Sequence, residues 1–166
     1  MNETGNAQKS ITELNLITDK VVEAFFQVHR TLGPGFNEAI YEASLLKEFE
    51  IQSIKCQSQV EVPVFYKGYE LNKTYRLDLL VEDEIIVELK TVENLLPLHQ
   101  AQLLSYLKLT NKRVGYLANF NVSLMKDGIK RMRLDSGTSK VPSEVLYTRI
   151  VPAGGKGWEV TKEANK

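Results

Sequence analysis

At about Gln59 the apolar pattern of this chain changes period, from three or four residues to two, and no other feature restricts the fold as much. Before that point Ile17, Val21, Phe25, Val28 and Leu32 form a single stripe at helical spacing, preceded by Ser10 and Glu13 in the arrangement of a capping box. Gly33-Pro34-Gly35 must end this helix, because proline cannot continue the backbone ladder and glycine favours a turn. Asn37 then offers an N-cap for a second helix running to about Glu50, with Ile40, Ala43, Leu46 and Phe49 as its expected buried edge. After the switch, Val60, Val62 and Val64 alternate with Glu61, Pro63 and Phe65, which predicts a strand; Pro63 places it at a sheet edge or a bulge. A second strand is expected from about Thr74 to Val81 and a third from Ile85 to Lys90, joined by a tight loop, Glu82-Asp83-Glu84. Leu98 to Leu109 returns to helical spacing, Arg113 to Phe120 predicts a fourth strand, and a short segment, Val122 to Arg133, closes the patterned region. The expectation is an α/β domain with a mixed four-stranded sheet flanked by helices.

A length of 166 residues suits one domain. Residues 1–9 read as a frayed polar end, 10–133 as the domain, and 134–166 as a C-terminal extension whose one apolar cluster is Val145 to Val151. Gly154-Gly155-Lys156-Gly157 lacks the spacing of a phosphate loop and reads as tail or linker. The polar start has no apolar signal region, and no window approaches the ~18 apolar residues of a membrane span. Cys56 has no internal disulfide partner, which fits a reducing compartment. The cytoplasm is the expected location.

The 21 basic and 21 acidic residues cancel, but they are not evenly spread. Asp78 to Glu93 holds six acids and one base, Lys90; Lys108 to Arg133 holds seven bases and one acid, Asp127. A cation site beside a phosphate-binding surface has this pattern, and so do two solvated faces of opposite charge.

The informative stretch is Tyr75 to Lys90. Glu88 and Lys90 are two apart on a strand and so share a face. A three-residue loop, 82–84, pairs Val81 with Ile85 and sets Asp78 opposite Glu88. A two-residue loop would turn Glu88 to the other face. The first register also gathers Leu77, Leu79 and Val81 with Leu89, Val87 and Ile85 on one apolar face, which favours it. Two opposed carboxylates repel unless a cation joins them, and Mg²⁺ is a natural candidate.

Asp78, nine residues, then Glu88-Leu89-Lys90 resembles the signature of PD-(D/E)XK nucleases, which have the restriction-endonuclease-like fold. Gly35-Phe-Asn-Glu38-Ala-Ile-Tyr41 is similar to the motif of the bacterial GxxExxY proteins within that superfamily. Gln102-Leu-Leu-Ser-Tyr106 resembles the Gln-x-x-x-Tyr motif of its exonuclease-like branch, and Gly115 to Phe120 with Asp127 to Arg131 resembles the closing segment. The likeness spans roughly residues 14–133. It implies a DNA nuclease with Mg²⁺ or Mn²⁺ held by Asp78 and Glu88, with Glu38 assisting directly or through water. Lys90 would orient the attacking water or stabilise charge on phosphorus, and Gln102 would hold Lys90 or the metal shell. Tyr106, Lys126, Lys130 and Arg131 are the substrate-binding candidates.

Plainer readings stand beside these. Glu38 suits a helix start, Lys90 an exposed strand edge, and Gln102 with Tyr106 a half-buried helix face. His29 fits a helix C-terminus, His99 a cap or a packing contact, Tyr41 the core, and Cys56 is inert. The rival functional class is a non-catalytic nucleic-acid or protein-binding module on the same scaffold.

Overall fold

The computed structural model describes residues 9–134 in full, together with the backbone of the segments 148–152 and 158–162. Helix α1 spans Ile11–Leu32 and starts at the expected capping box: Glu13 N donates to Ser10 Oγ at 3.2 Å and Ser10 N to Glu13 Oε2 at 2.7 Å. It ends at Gly33, whose φ of +68° a side chain would resist. Asn37 caps α2, Glu38–Ile51, accepting from Ile40 N at 3.2 Å.

The buried edge of α2 is Tyr41, Leu45 and Phe49; of the expected set Phe49 is buried and Leu46 half-buried against the core, while Ile40 and Ala43 are exposed. Both sets obey helical spacing, and the side chain of Tyr41 decides between them. Its ring stacks on Phe120 with centroids 4.4 Å apart, and its hydroxyl donates to Gly33 O at 2.6 Å. That bond pins the Gly-Pro-Gly turn to the helix that follows it.

Strands β1 (Cys56–Tyr66), β2 (Tyr69–Val81) and β3 (Ile85–Lys90) form an antiparallel meander. Helix α3 (Pro97–Thr110) crosses to β4 (Val114–Asn119), which lies parallel to β3. A short α4 (Met125–Gly128) returns the chain to β5 (Ile129–Arg133), so the sheet has five strands in the order β1-β2-β3-β4-β5, one more than expected. Five residues of mixed polarity were too short a segment to show their alternation. β1 is an edge strand with a register shift beside Pro63, as the proline required. The expected tail contains a hairpin of β6 (Thr148–Pro152) and β7 (Trp158–Lys162), while the glycine run at 154–157 and residues 1–8 lie outside the described residues.

Helices α1 and α2 cover one face of the sheet, where Phe25, Tyr41, Phe49 and Phe120 join Leu79, Val87 and Tyr116. Helix α3 covers the other with Leu103, Tyr106 and Leu107 against Val60, Leu80, Ile86 and Leu117. Among the described residues no helix is long and apolar enough to cross a membrane.

Candidate active site on the second hairpin

The turn between β2 and β3 settles the register. Glu82 and Asp83 take left-handed φ values of 52° and 57°, and Glu84 N donates to Val81 O at 3.0 Å, as in a two-residue turn. Glu84 is nevertheless left as an extra residue, and Val81 pairs with Ile85, Leu80 with Ile86, and Leu79 with Val87. This is the register of the three-residue loop, and continued by one step it sets Asp78 across from Glu88. There the side chains take over from the ladder. Leu89 N donates to Asp78 Oδ2 at 2.8 Å, and Asp78 N donates to Glu88 Oε1 at 3.4 Å.

Asp78 stands where the sheet changes face. Leu79 and Val81 pack under α1 and α2, as expected, but Leu77 joins Val60, Val62 and Leu80 under α3. The cause lies on the neighbouring strand: the pairs Ser58–Leu79 and Val60–Leu77 flank Gln59, whose φ of +53° breaks the alternation. The expected single apolar face is therefore interrupted at the acid.

Glu88 is only 4% exposed. Burial first, and the adjacent Asp78 charge second, push its carboxyl up to about 8; Lys90, on the same face, pulls the other way without offsetting them. Tyr106 of α3 lies over the pair. Its hydroxyl is pushed up to about 12, first by burial and then by the Glu88 charge, and it accepts from Gln102 Nε2 at 2.9 Å. Gln102 thus holds Tyr106 in this structure, not Lys90. The ring of Tyr75, on β2, sits 5.1 Å from that of Tyr106.

Glu38 is exposed in the first turn of α2. The acid that reaches inward is Glu42, one turn later: Gln59 Nε2 donates to it at 2.6 Å, and its carboxyl is raised by burial and then, against that Gln59 bond, by the charges of Asp78 and Glu38. Glu42 and Gln59 were missed by the sequence reading. A glutamate four residues after another on a helix start carries no mark of its own, and a glutamine in a strand does not announce a left-handed backbone. Among the described residues, no three acidic, histidine or cysteine side chains stand close enough together to hold an ion as they are.

Asn119, paired with Lys90 across the parallel ladder, clamps the chain just beyond the lysine. Its Oδ1 accepts from Val92 N at 3.1 Å and its Nδ2 donates to Val92 O at 2.8 Å. Behind it Gly128 leaves no room for a side chain, since a Cβ there would stand 2.0 Å from Asn119 O. His29 bonds Val122 O at 2.8 Å, and His99 Nδ1 accepts from Leu96 N at 3.1 Å as a cap of α3.

The basic segment Lys108–Arg133 does not form one surface. Lys112 turns to the acids Asp83 and Glu84 at the hairpin turn, the end of β3 away from Lys90. Arg131 pairs with Tyr116 on the α1 face and reaches Asn15 Oδ1 at 3.5 Å. Lys130 pairs with Leu117, which pairs with Glu88, so it lies on the site's face two strands away, and Lys126 is exposed on α4.

Residues 15–132 match the sequence profile described as the PD-(D/E)XK nuclease superfamily. The chain belongs to that superfamily. Its five-stranded mixed sheet with flanking helices is the restriction-endonuclease-like fold of this PD-(D/E)XK chain. A solved structure described as "Crystal structure of SSO0001" aligns over 84% of this chain and 83% of its own, at 18% identity and a TM-score of 0.41, too distant to add to the assignment. No curated protein matches the chain significantly.

Proposed function

We propose that this PD-(D/E)XK protein is a Mg²⁺- or Mn²⁺-dependent nuclease that hydrolyses phosphodiester bonds of DNA at the Asp78–Glu88 pair, and that it falls in the GxxExxY group. The observation that carries the reading is the buried Glu88 facing Asp78, a like-charge pair that neither Lys90 nor any salt bridge among the described residues neutralises. A hard divalent cation with oxygen ligands fits this donor set of two facing carboxylates. Asp78 and Glu88 would hold it, with Glu38 or Glu42 approaching from α2. When bound, such an ion would polarise the scissile phosphate and lower the pKa of a bound water. Lys90, beside Glu88, would donate to that water or to the oxygens on which charge develops. Gln102 acts through Tyr106, fixing the ring that roofs the carboxylates. Lys126 and Lys130 would contact substrate phosphates, Arg131 only along the α1 side. Residues 10–133 would be the nuclease unit, working in the cytoplasm, and 134–166 an extension of it. The rival reading, a binding module without catalysis, draws on the lack of a ready three-ligand cluster among the described residues.

Asp78→Asn separates them. The wild type should cleave DNA with Mg²⁺ or Mn²⁺ and gain thermal stability from the ion by mass action. The variant should lose at least about 100-fold in rate, because several kcal/mol of transition-state stabilisation go with the ion. It should also lose the metal-induced shift. A full shift in Asp78→Asn, or cleavage at the wild-type rate, removes the site assignment.

A further inference from the structure

Strand β2 is more than twice the length of β3, 13 residues against 6, and pairs with it only through Leu79–Val81. The residues of β2 before Asp78 therefore run on past this ladder with β1 alone. Tyr75 sits on this projecting part, three residues before Asp78, which is about 10 Å along a strand. It is 42% exposed. One side of the ring rests on Tyr106, at 5.1 Å between centroids and 56° between planes. Tyr106 is itself 4% exposed and held from behind by Gln102, so it cannot yield. The outer side of Tyr75 is thus a fixed aromatic surface next to the ring that lies over the carboxylates, with exposed Lys73 two residues before it, while Arg76 is turned to Glu61 at 3.3 Å.

We propose that Tyr75, backed by Tyr106, is a base-stacking ledge that selects single-stranded nucleic acid at the Asp78–Glu88 site. The proposal rests on the nuclease reading for the place of cleavage, but not for the binding itself. In a duplex each base is already stacked on both sides and offers no free ring face. A single strand offers one at every nucleotide, and stacking on an aromatic side chain is sequence-tolerant. The ledge adds little entropy cost, because Tyr75 is already ordered against Tyr106. Exposed Lys73 suits the backbone beside the stacked base.

The test uses the full chain in EDTA, where cleavage is blocked, with a fluorescein-labelled single-stranded DNA oligonucleotide and its duplex as probes. Anisotropy should show tighter binding to the single strand. Tyr75→Ala should weaken single-strand binding roughly 5- to 150-fold and leave duplex binding within about twofold. Tyr75→Phe should restore it, and both variants should melt close to the wild type because the ring is half exposed. If Tyr75→Ala binds the single strand as the wild type does, the ledge serves something else, such as a protein contact, and the proposal falls. An equal loss for both probes overturns it as well. A chain that never cleaves with Mg²⁺ yet keeps Tyr75-dependent single-strand binding sinks the nuclease reading and leaves the ledge standing. Efficient cleavage of duplex, indifferent to Tyr75, does the reverse.

Discussion

The β2–β3 hairpin carries acids at both ends, and the two ends treat them in opposite ways. At the turn, Lys55 Nζ meets Asp83 Oδ2 at 2.6 Å, the Lys55 backbone donates to Glu82 Oε1 at 2.7 Å, and the Lys9 ammonium donates to Glu82 O at 3.1 Å. Lys112 feels both Asp83 and Glu84. At the other end Asp78 and Glu88 face each other, and the Asp78 N–H bond to Glu88 and the Lys90 charge oppose their mutual repulsion without offsetting it. What looks in the sequence like one acidic cluster is two, one matched with lysines of the chain and one set together without such matching. Acids matched with lysines hold the turn in shape. Acids set together in a buried position lower stability, and they persist where a cation or a substrate makes use of them.

The comparison breaks most visibly at Lys90. If the lysine serves chemistry and not the neutralisation of Glu88, Lys90→Ala should cut metal-dependent cleavage by about 100-fold, the scale of one lost transition-state donor. It should leave the Mg²⁺-induced rise in Tm near the wild-type value, since an ammonium is no ligand. A rate loss accompanied by loss of the metal shift would show instead that Lys90 organises the carboxylates.

The pH dependence sharpens the contrast. Glu88 holds its proton in the folded protein up to about 8, while in the unfolded chain it loses it near 4.5. The folded state therefore binds more protons than the unfolded state between those values, and the stability of the metal-free protein must decline as pH rises through that window. The proton belongs to the Asp78–Glu88 pair as a unit. Urea unfolding in EDTA at pH 5, 7 and 8.5 should show the decline, and Glu88→Gln should flatten it. Equal slopes in the two proteins would mean that the pair is not strained at all.

Helix α2 provides a finer test. Glu42 is tied to Gln59 and feels Asp78, whereas Glu38 is exposed. Glu42→Gln should slow cleavage by about 10-fold, of the order of an outer-shell partner of a metal site. Glu38→Gln should stay within about twofold. The reverse order would return the helix-borne role to Glu38.

These tests fall where the sequence was hardest to read. The register of Asp78 against Glu88 was legible because a one-residue slip reverses every side chain, and only one register kept the apolar residues of the hairpin together. The helix ends were legible for a similar reason, since Ser10, Gly33 and Asn37 each do one local job that the backbone requires. Leu77 and Gln59 were not. Their sidedness depends on a left-handed residue in the neighbouring strand, and nothing within a few residues of Gln59 demands it. Glu42 was hidden likewise, because the rotation of α2 is set by the stacking of Tyr41 on Phe120, a contact across 79 residues of chain. Tyr75 was passed over because an aromatic residue in a strand is ordinary. Only its exposure against the ring of Tyr106 sets it apart.

The smallest effect is expected at the turn, and its sign is what matters. Asp83→Asn removes the ion pair with Lys55, whose side chains are 26% and 53% exposed, so solvent already screens most of the attraction. Asparagine accepts the left-handed φ of 57° that Asp83 holds, and backbone strain should not change. The loss should be under about 1 kcal/mol, or a fall in Tm of about 2–4 °C or less. Asp78→Asn in the same buffer with EDTA at pH 8 should move the other way or not at all, because it relieves a repulsion rather than removing an attraction. Cleavage should be untouched by Asp83→Asn. If both substitutions lower Tm alike, the two ends of the hairpin do not differ in kind, and Asp78 is held by its bond to Leu89 N more than it is opposed by Glu88.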